Sequence, residues 1–128
     1  FIGGAWSIDN PDAPPGWYRR TPEVDWWADE ECSTAEFYRF AEIYDVMRPR
    51  VMVTHDCPWT VSKEMFFDSG LLRGIHYPTK TGQFFDTLMD IHQPDEWYFG
   101  HWHTTMQHKY GRTMFQCIGE LDTVVIDV

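Results

Sequence analysis

Twice in this chain an amphipathic helical run is cut off by a proline and followed by a short apolar strand. That repeated order restricts the chain to folds that lay helices on a sheet of buried strands. In the first unit, Ser33 and Glu36 have the spacing of a capping box, in which hydroxyl and carboxylate satisfy backbone N–H groups at a helix start. Phe37, Phe40, Ala41, Tyr44 and Met47 then recur at helical spacing, and Pro49 cannot continue the hydrogen-bond ladder. Val51, Met52 and Val53 follow as a buried strand that sets Thr54 and His55 at its end. In the second unit a helix is expected over 81–92 with Phe84, Phe85, Leu88 and Met89 facing inward and Pro94 past its end; a strand over 96–99 follows.

The remaining segments are placed around these two units. An apolar opening predicts a strand over 1–8, and the next stretch carries Pro11, Pro14, Pro15, Gly16 and Pro22, too many breakers for a regular element. Trp17, Trp26 and Trp27 are the expected anchors of that loop, each burying a large ring. Residues 59–80 read as irregular, with a turn of helix within 63–72. Two final strands, 113–118 and 121–128, are expected to pair through a tight turn at Gly119 and Glu120. The expected class is α/β (α+β), in the order β-α-β-α-β-β-β. A chain of 128 residues fits one domain, burying about two-thirds of its unfolded surface.

Charge narrows the function classes. Asp and Glu number 20 against 10 for Lys and Arg, and a net charge of -10 argues against broad contact with a phosphate backbone, so nucleic acid enters only as a substrate. No apolar run approaches the roughly 20 residues needed to cross a bilayer, and no secretory leader pattern opens the chain. Cys32, Cys57 and Cys117 lack CxxC spacing and read as reduced thiols of a cytoplasmic protein. The chain opens "FIGGAWSID" without an initiator methionine, so an upstream portion is expected.

Both helix-then-strand units deliver histidines at the strand end, in the place where α/β proteins build sites. His55 comes from "VMVTHDCP", and His101 and His103 come from "YFGHWH". Residues i and i+2 of an extended segment point to the same side, so His101 and His103 are expected to aim into one pocket. Gly100 would leave room for a close backbone approach. Imidazole nitrogens bind divalent transition metals at about 2.1 Å, and two ions about 3.5–4 Å apart could each take one histidine of the pair. The bland alternative is a set of hydrogen-bonded structural histidines. Beside them, Asp56 is a candidate to orient an imidazole or to cap the turn before Pro58, and Trp102 a candidate pocket wall. Cys57 reads as a small packed residue, and Arg20 as an ion-pair partner of Glu30 or Glu31. His76, His92 and His108 have no partner motif.

On "GGAWSID", "RRTPEVDWWADEE", "VMVTHDCP" and the GHxH of "YFGHWH", in that order along nearly the whole chain, the sequence resembles the calcineurin-like metallophosphoesterase family, in particular its phage and bacterial members. The resemblance implies an α-β-β-α sandwich of two sheets and hydrolysis of phosphate esters by two divalent ions (Mn, Fe or Zn) at the carboxyl ends of the strands. By it, His55 and His101 are ligands of one ion and His103 a ligand of the other. The family's DxH, GDxxD and GNHD or GNHE motifs do not occur here, so the resemblance is to the C-terminal half only, and no catalytic residue is assigned in this portion. The missing N-terminal half is then an expected partner. Two other classes stay open: a catalytically incomplete binding or assembly half that needs a partner chain, and a protein with a single structural zinc site built on His55, His101 and His103 with Cys57 or a water.

Overall fold

Ser33 starts the first helix as its spacing predicts. Its hydroxyl accepts from Glu36 N at 3.3 Å, and the Glu36 carboxylate accepts from Ser33 N at 2.8 Å, which satisfies two of the orphan donors of a helix start. In the computed structural model, which describes residues 19–73 and 77–126, this helix, α1, runs Thr34–Met47 and stops at Arg48, whose φ of 43° is left-handed. The strand expected over 1–8 and Trp17 lie outside the described residues. A single 3₁₀ turn, Ala28–Glu30, precedes α1. Ahead of it, Arg20 grips Glu30 through two hydrogen bonds of 3.1 and 2.6 Å, the ion pair its position suggested.

Four further elements complete the framework: β1 Val51–Thr54, α2 Trp59–Ser62 continuing into a π-helical segment Lys63–Asp68, α3 Lys80–Ile91, and β2 Glu96–Phe99. The stretch expected to be mostly irregular is therefore helical from Trp59 to Asp68. α3 is capped twice. Thr79 accepts from Gly82 N at 3.0 Å, and Glu31 accepts from Thr81 N at 2.8 Å, which ties the loop before α1 to the start of α3. Gly82 suits the close approach of α2 to α3, because a β-carbon there would sit 3.1 Å from Trp59 Cβ and its neighbours would have to give by a few tenths of an ångström.

The C-terminal region departs from expectation. The hairpin is β3 Met106–Tyr110 with β4 Thr113–Cys117, closed at Gly111 (φ 58°), and 121–126 form no strand. Gly119 and Glu120 close no hairpin; Gly119 N donates instead to Thr105 Oγ1 at 3.0 Å. The two-residue link Gly111-Arg112 gives strands of matched register, Tyr110 opposite Thr113 and Met106 opposite Cys117. Gln93 braces the link by accepting from Arg112 N at 3.1 Å.

The four strands form one mixed sheet in the order β1-β2-β4-β3, with β1, β2 and β4 parallel and β3 antiparallel at the edge. Met52, Trp97 and Phe115 lie side by side in register, as do Thr54, Phe99 and Cys117, and these residues face the helices. Phe66, Phe85, Leu88 and Met65 from the helical side complete the core, with Trp97 between Phe85 and Phe115 at ring distances of 5.5 Å. α1 leans on α3 through Phe37 stacked on Phe84 at 4.3 Å. The apolar stripe of α1 is shorter than its spacing suggested, since Met47 is 70% exposed. Likewise Trp27 is 49% exposed and anchors nothing deeply, while Trp26 is half-buried. The other sheet face carries Val51, Val53, Glu96, Tyr98, Met114, Gln116, Gln107 and Lys109 by strand alternation. Among the described residues no helix is long and apolar enough to cross a membrane.

Candidate metal centre

Adjacent parallel strands end side by side, so the residues after β1 and β2 must meet. Thr54 and Phe99 are register partners, and Gly100 N donates to His55 O at 3.0 Å, extending the pairing by one step. Beyond that bond both chains turn. His55 Nε2 and His101 Nδ1 then face each other at 3.1 Å, with the rings edge to face. Two nitrogens bound to one ion at about 2.1 Å lie about 3.0–3.4 Å apart in octahedral or tetrahedral coordination, so this separation is the bite of a two-histidine chelate. Without a cation the same geometry is an N–H···N hydrogen bond between the two rings, one donating and the other accepting.

The route by which "GHWH" delivers its histidines is not the extended one that the sequence suggested. His101 and His103 both adopt left-handed backbone, with φ of 63° and 51°, and Trp102 N donates to Gly100 O at 2.7 Å inside a tight coil. Successive side chains therefore splay. His101 reaches His55, Trp102 turns inward, and His103 pairs through Nδ1 with Glu120 at 2.9 Å in an exposed position. Two non-glycine residues in left-handed backbone, costing about 1–2 kcal/mol each, mark a segment whose shape the surroundings enforce. Gly100 does not serve the expected close approach, since a β-carbon there would make ordinary 3.9 Å contacts with His55 O and Ile118 O.

Beneath the imidazole pair lies a buried carboxylate. Asp56 is 4% exposed, and its Oδ1 accepts from Cys57 N at 2.8 Å and from Trp102 Nε1 at 3.0 Å. Its partners are thus an indole and a backbone amide rather than an imidazole. Trp102 in turn stacks on Phe66 at 4.6 Å and meets Phe67 edge-on at 5.9 Å, both rings presented by the π-helical segment. Thr54 Oγ1 accepts from Trp97 Nε1 at 2.7 Å and donates to the carbonyl of Asp56, fixing the turn after β1 from the core side.

Electrostatics favour the neutral ligand form of His55. Partial burial pushes its pKa below the ordinary value, the nearby His101 and His103 push it the same way, and Asp56 opposes. The thiols below are inert. Burial pushes Cys117 up to about 11 and Cys57 well above its ordinary range, where Asp56 adds to the effect. Cys57 and Cys117 are free thiols.

No family model, curated protein or solved structure matches the chain. The fit to a metal therefore rests on geometry. His55 and His101 suit one shared cation, but among the described residues no three His, Cys, Asp or Glu side chains gather to hold one. A third imidazole, His103, lies near enough for its charge to act on His55. Of the other histidines, His92 Nε2 meets Pro49 O at 3.0 Å, His108 Nε2 meets Glu64 at 3.1 Å, and His76 lies outside the described residues. Trp59 belongs elsewhere, lining a cleft of about 460 Å³ with Gln83, Asp86 and Asp90 of α3. Sequence reasoning missed Glu120 as the partner of His103 because that residue was assigned to a hairpin turn, and no local pattern links positions so far apart.

Proposed function

We propose that the chain is the C-terminal half of a calcineurin-like metallophosphoesterase domain and contributes histidine ligands to a dinuclear centre that hydrolyses phosphate esters. One observation carries the reading: His55 Nε2 and His101 Nδ1 stand 3.1 Å apart at the carboxyl ends of two adjacent parallel strands. His55 and His101 would hold one ion and His103 the other; carboxylates from upstream polypeptide carrying the DxH and GDxxD motifs would complete the pair. When bound, two divalent ions (Mn, Fe or Zn) supply Lewis acidity toward the phosphoryl oxygens and a water of lowered pKa. The chain's own residues orient. The pair at His55 and His101 presents two ring nitrogens to one point, and Glu120 holds the His103 ring through Nδ1, leaving Nε2 free to ligate.

The finer architecture, half of an α-β-β-α sandwich, is supported by the sheet. Its helices pack on one face, while Val51, Val53, Tyr98 and Met114 lie on the other, where the second sheet of such a sandwich would sit. A reducing, cytoplasmic setting accords with the two buried free thiols, Cys57 and Cys117. The test is hydrolysis of an aryl phosphate with added manganese. It compares this chain, the chain extended by upstream sequence bearing the missing motifs, and the extended chain with His101→Ala. Hydrolysis by the extended form, cut at least about 10–100-fold by His101→Ala, supports the reading. An extended form that hydrolyses nothing with manganese, iron or zinc, or that is indifferent to His101→Ala, overturns it.

A further inference from the structure

Two side-chain bridges join residues 55 and 56 to residues 101 and 102, and they differ in kind. His55–His101 at 3.1 Å lies toward solvent and, without a cation, is one N–H···N bond between the two rings. Asp56–Trp102 at 3.0 Å is the more buried of the two. Its acceptor is a carboxylate 4% exposed, which makes it the stronger of the two bonds. The Asp56 end is fixed by Cys57 N at 2.8 Å, and the Trp102 end is fixed by stacking on Phe66 at 4.6 Å. His101, adjacent to Trp102, holds a left-handed φ of 63°, a conformation that relaxes unless something on the same turn opposes it.

We propose that Trp102 is a positioning residue whose indole N–H, held by Asp56, keeps the imidazoles of His55 and His101 at chelating separation before any cation arrives. Neither residue touches the cation. Preorganisation in the metal-free protein is the assertion, and it deepens the metal-centre reading, on which its consequence for affinity rests. The bridge spans the two turns that carry the ligands, so it limits how far they can part, while the aromatic stack limits how far the indole can swing.

The experiment uses the metal-free chain and the variant Trp102→Phe, which keeps one aromatic ring beside Phe66 and removes the N–H together with part of the indole surface. Solution NMR follows the proton shared by His55 and His101 and the Trp102 indole proton; calorimetry follows zinc uptake; thermal unfolding reports folding separately. The expected result is a shared imidazole proton protected in the native chain and rapidly exchanging in Trp102→Phe, with zinc affinity lower by about 10–100-fold. Phe66→Leu, which loosens the stack but keeps the N–H donor, is expected to lower the melting temperature while exposing the shared proton less than Trp102→Phe does, a split that a merely structural role for Trp102 would not produce. A folded Trp102→Phe variant with the native imidazole signal overturns the proposal. If that variant does not fold, the native chain decides. A Trp102 indole proton exchanging as fast as an exposed one beside a protected imidazole proton overturns it, and matched protection of the two supports it. Loss of the shared proton on Trp102→Phe supports the brace whether or not the isolated chain takes up zinc, and the metal reading stands or falls separately on hydrolysis by the extended form.

Discussion

Thr54 joins the core to the site through one hydroxyl. It accepts the Trp97 indole N–H at 2.7 Å and donates to the carbonyl of Asp56, so a single side chain holds a core ring and aims the turn that carries His55. Thr54→Val conserves shape and leaves that buried N–H unmatched; the expected loss is about 1–3 kcal/mol, read as a lower urea midpoint. His55 sets a pH dependence. Its folded-state pKa lies below its ordinary 6.5, so the folded chain takes up its proton less readily than the unfolded chain does. The stability this contributes is full above the unfolded pKa and is lost as pH falls through the folded one. Urea midpoints of the native chain and of His55→Gln should therefore converge below about pH 6.5 and separate above it. A constant gap across that window would refute the assignment. Protons also compete with metal for the same imidazoles, so zinc affinity should fall over the same range.

Among the elements, the cap of α1 was legible and the hairpin was not. The Ser33 and Glu36 spacing encodes its own hydrogen bonds within one turn, and the structure contains both of them. Ser33→Ala should cost about 1 kcal/mol, measured by chemical denaturation, with little change in metal uptake. In the C-terminal region the alternation of Met106, His108 and Tyr110 toward the helices was hidden, because His108 carries a polar side chain onto the buried face to meet Glu64 at 3.1 Å. Gly111 was the turn signal in that stretch. Gly111→Ala puts a β-carbon 2.5 Å from Gln93 Oε1 and forces a left-handed φ of 58° on alanine. The expected destabilisation is about 1 kcal/mol, visible as a lowered melting temperature. The π-helical segment Lys63–Asp68 was equally invisible, since what it achieves, two adjacent phenylalanines on one tryptophan ring, is defined only by Trp102 arriving from another part of the chain.

For the whole molecule, stability rests on one helix-covered sheet face. Phe85, fully buried between Trp97 and the α1 side of the core, is the point where α3 meets the sheet. Phe85→Ala should cost about 3–5 kcal/mol and abolish cooperative unfolding if the native chain is marginal, a result that near-UV circular dichroism would report. The two helix-then-strand units, the Ser33 cap of α1, and the placing of His55 and His101 after apolar strands were readable in the sequence alone. Each of these follows from periodicities and breakers that act within a few residues. Long-range packing set the rest: β1 and β2 end side by side, "GHWH" coils through left-handed backbone, Asp56 takes an indole instead of an imidazole, and Glu120 pairs with His103. Those choices depend on which distant groups share a buried space, and the free energy of matching a buried polar group is set by where its partner ends up, not by the residues beside it in the chain.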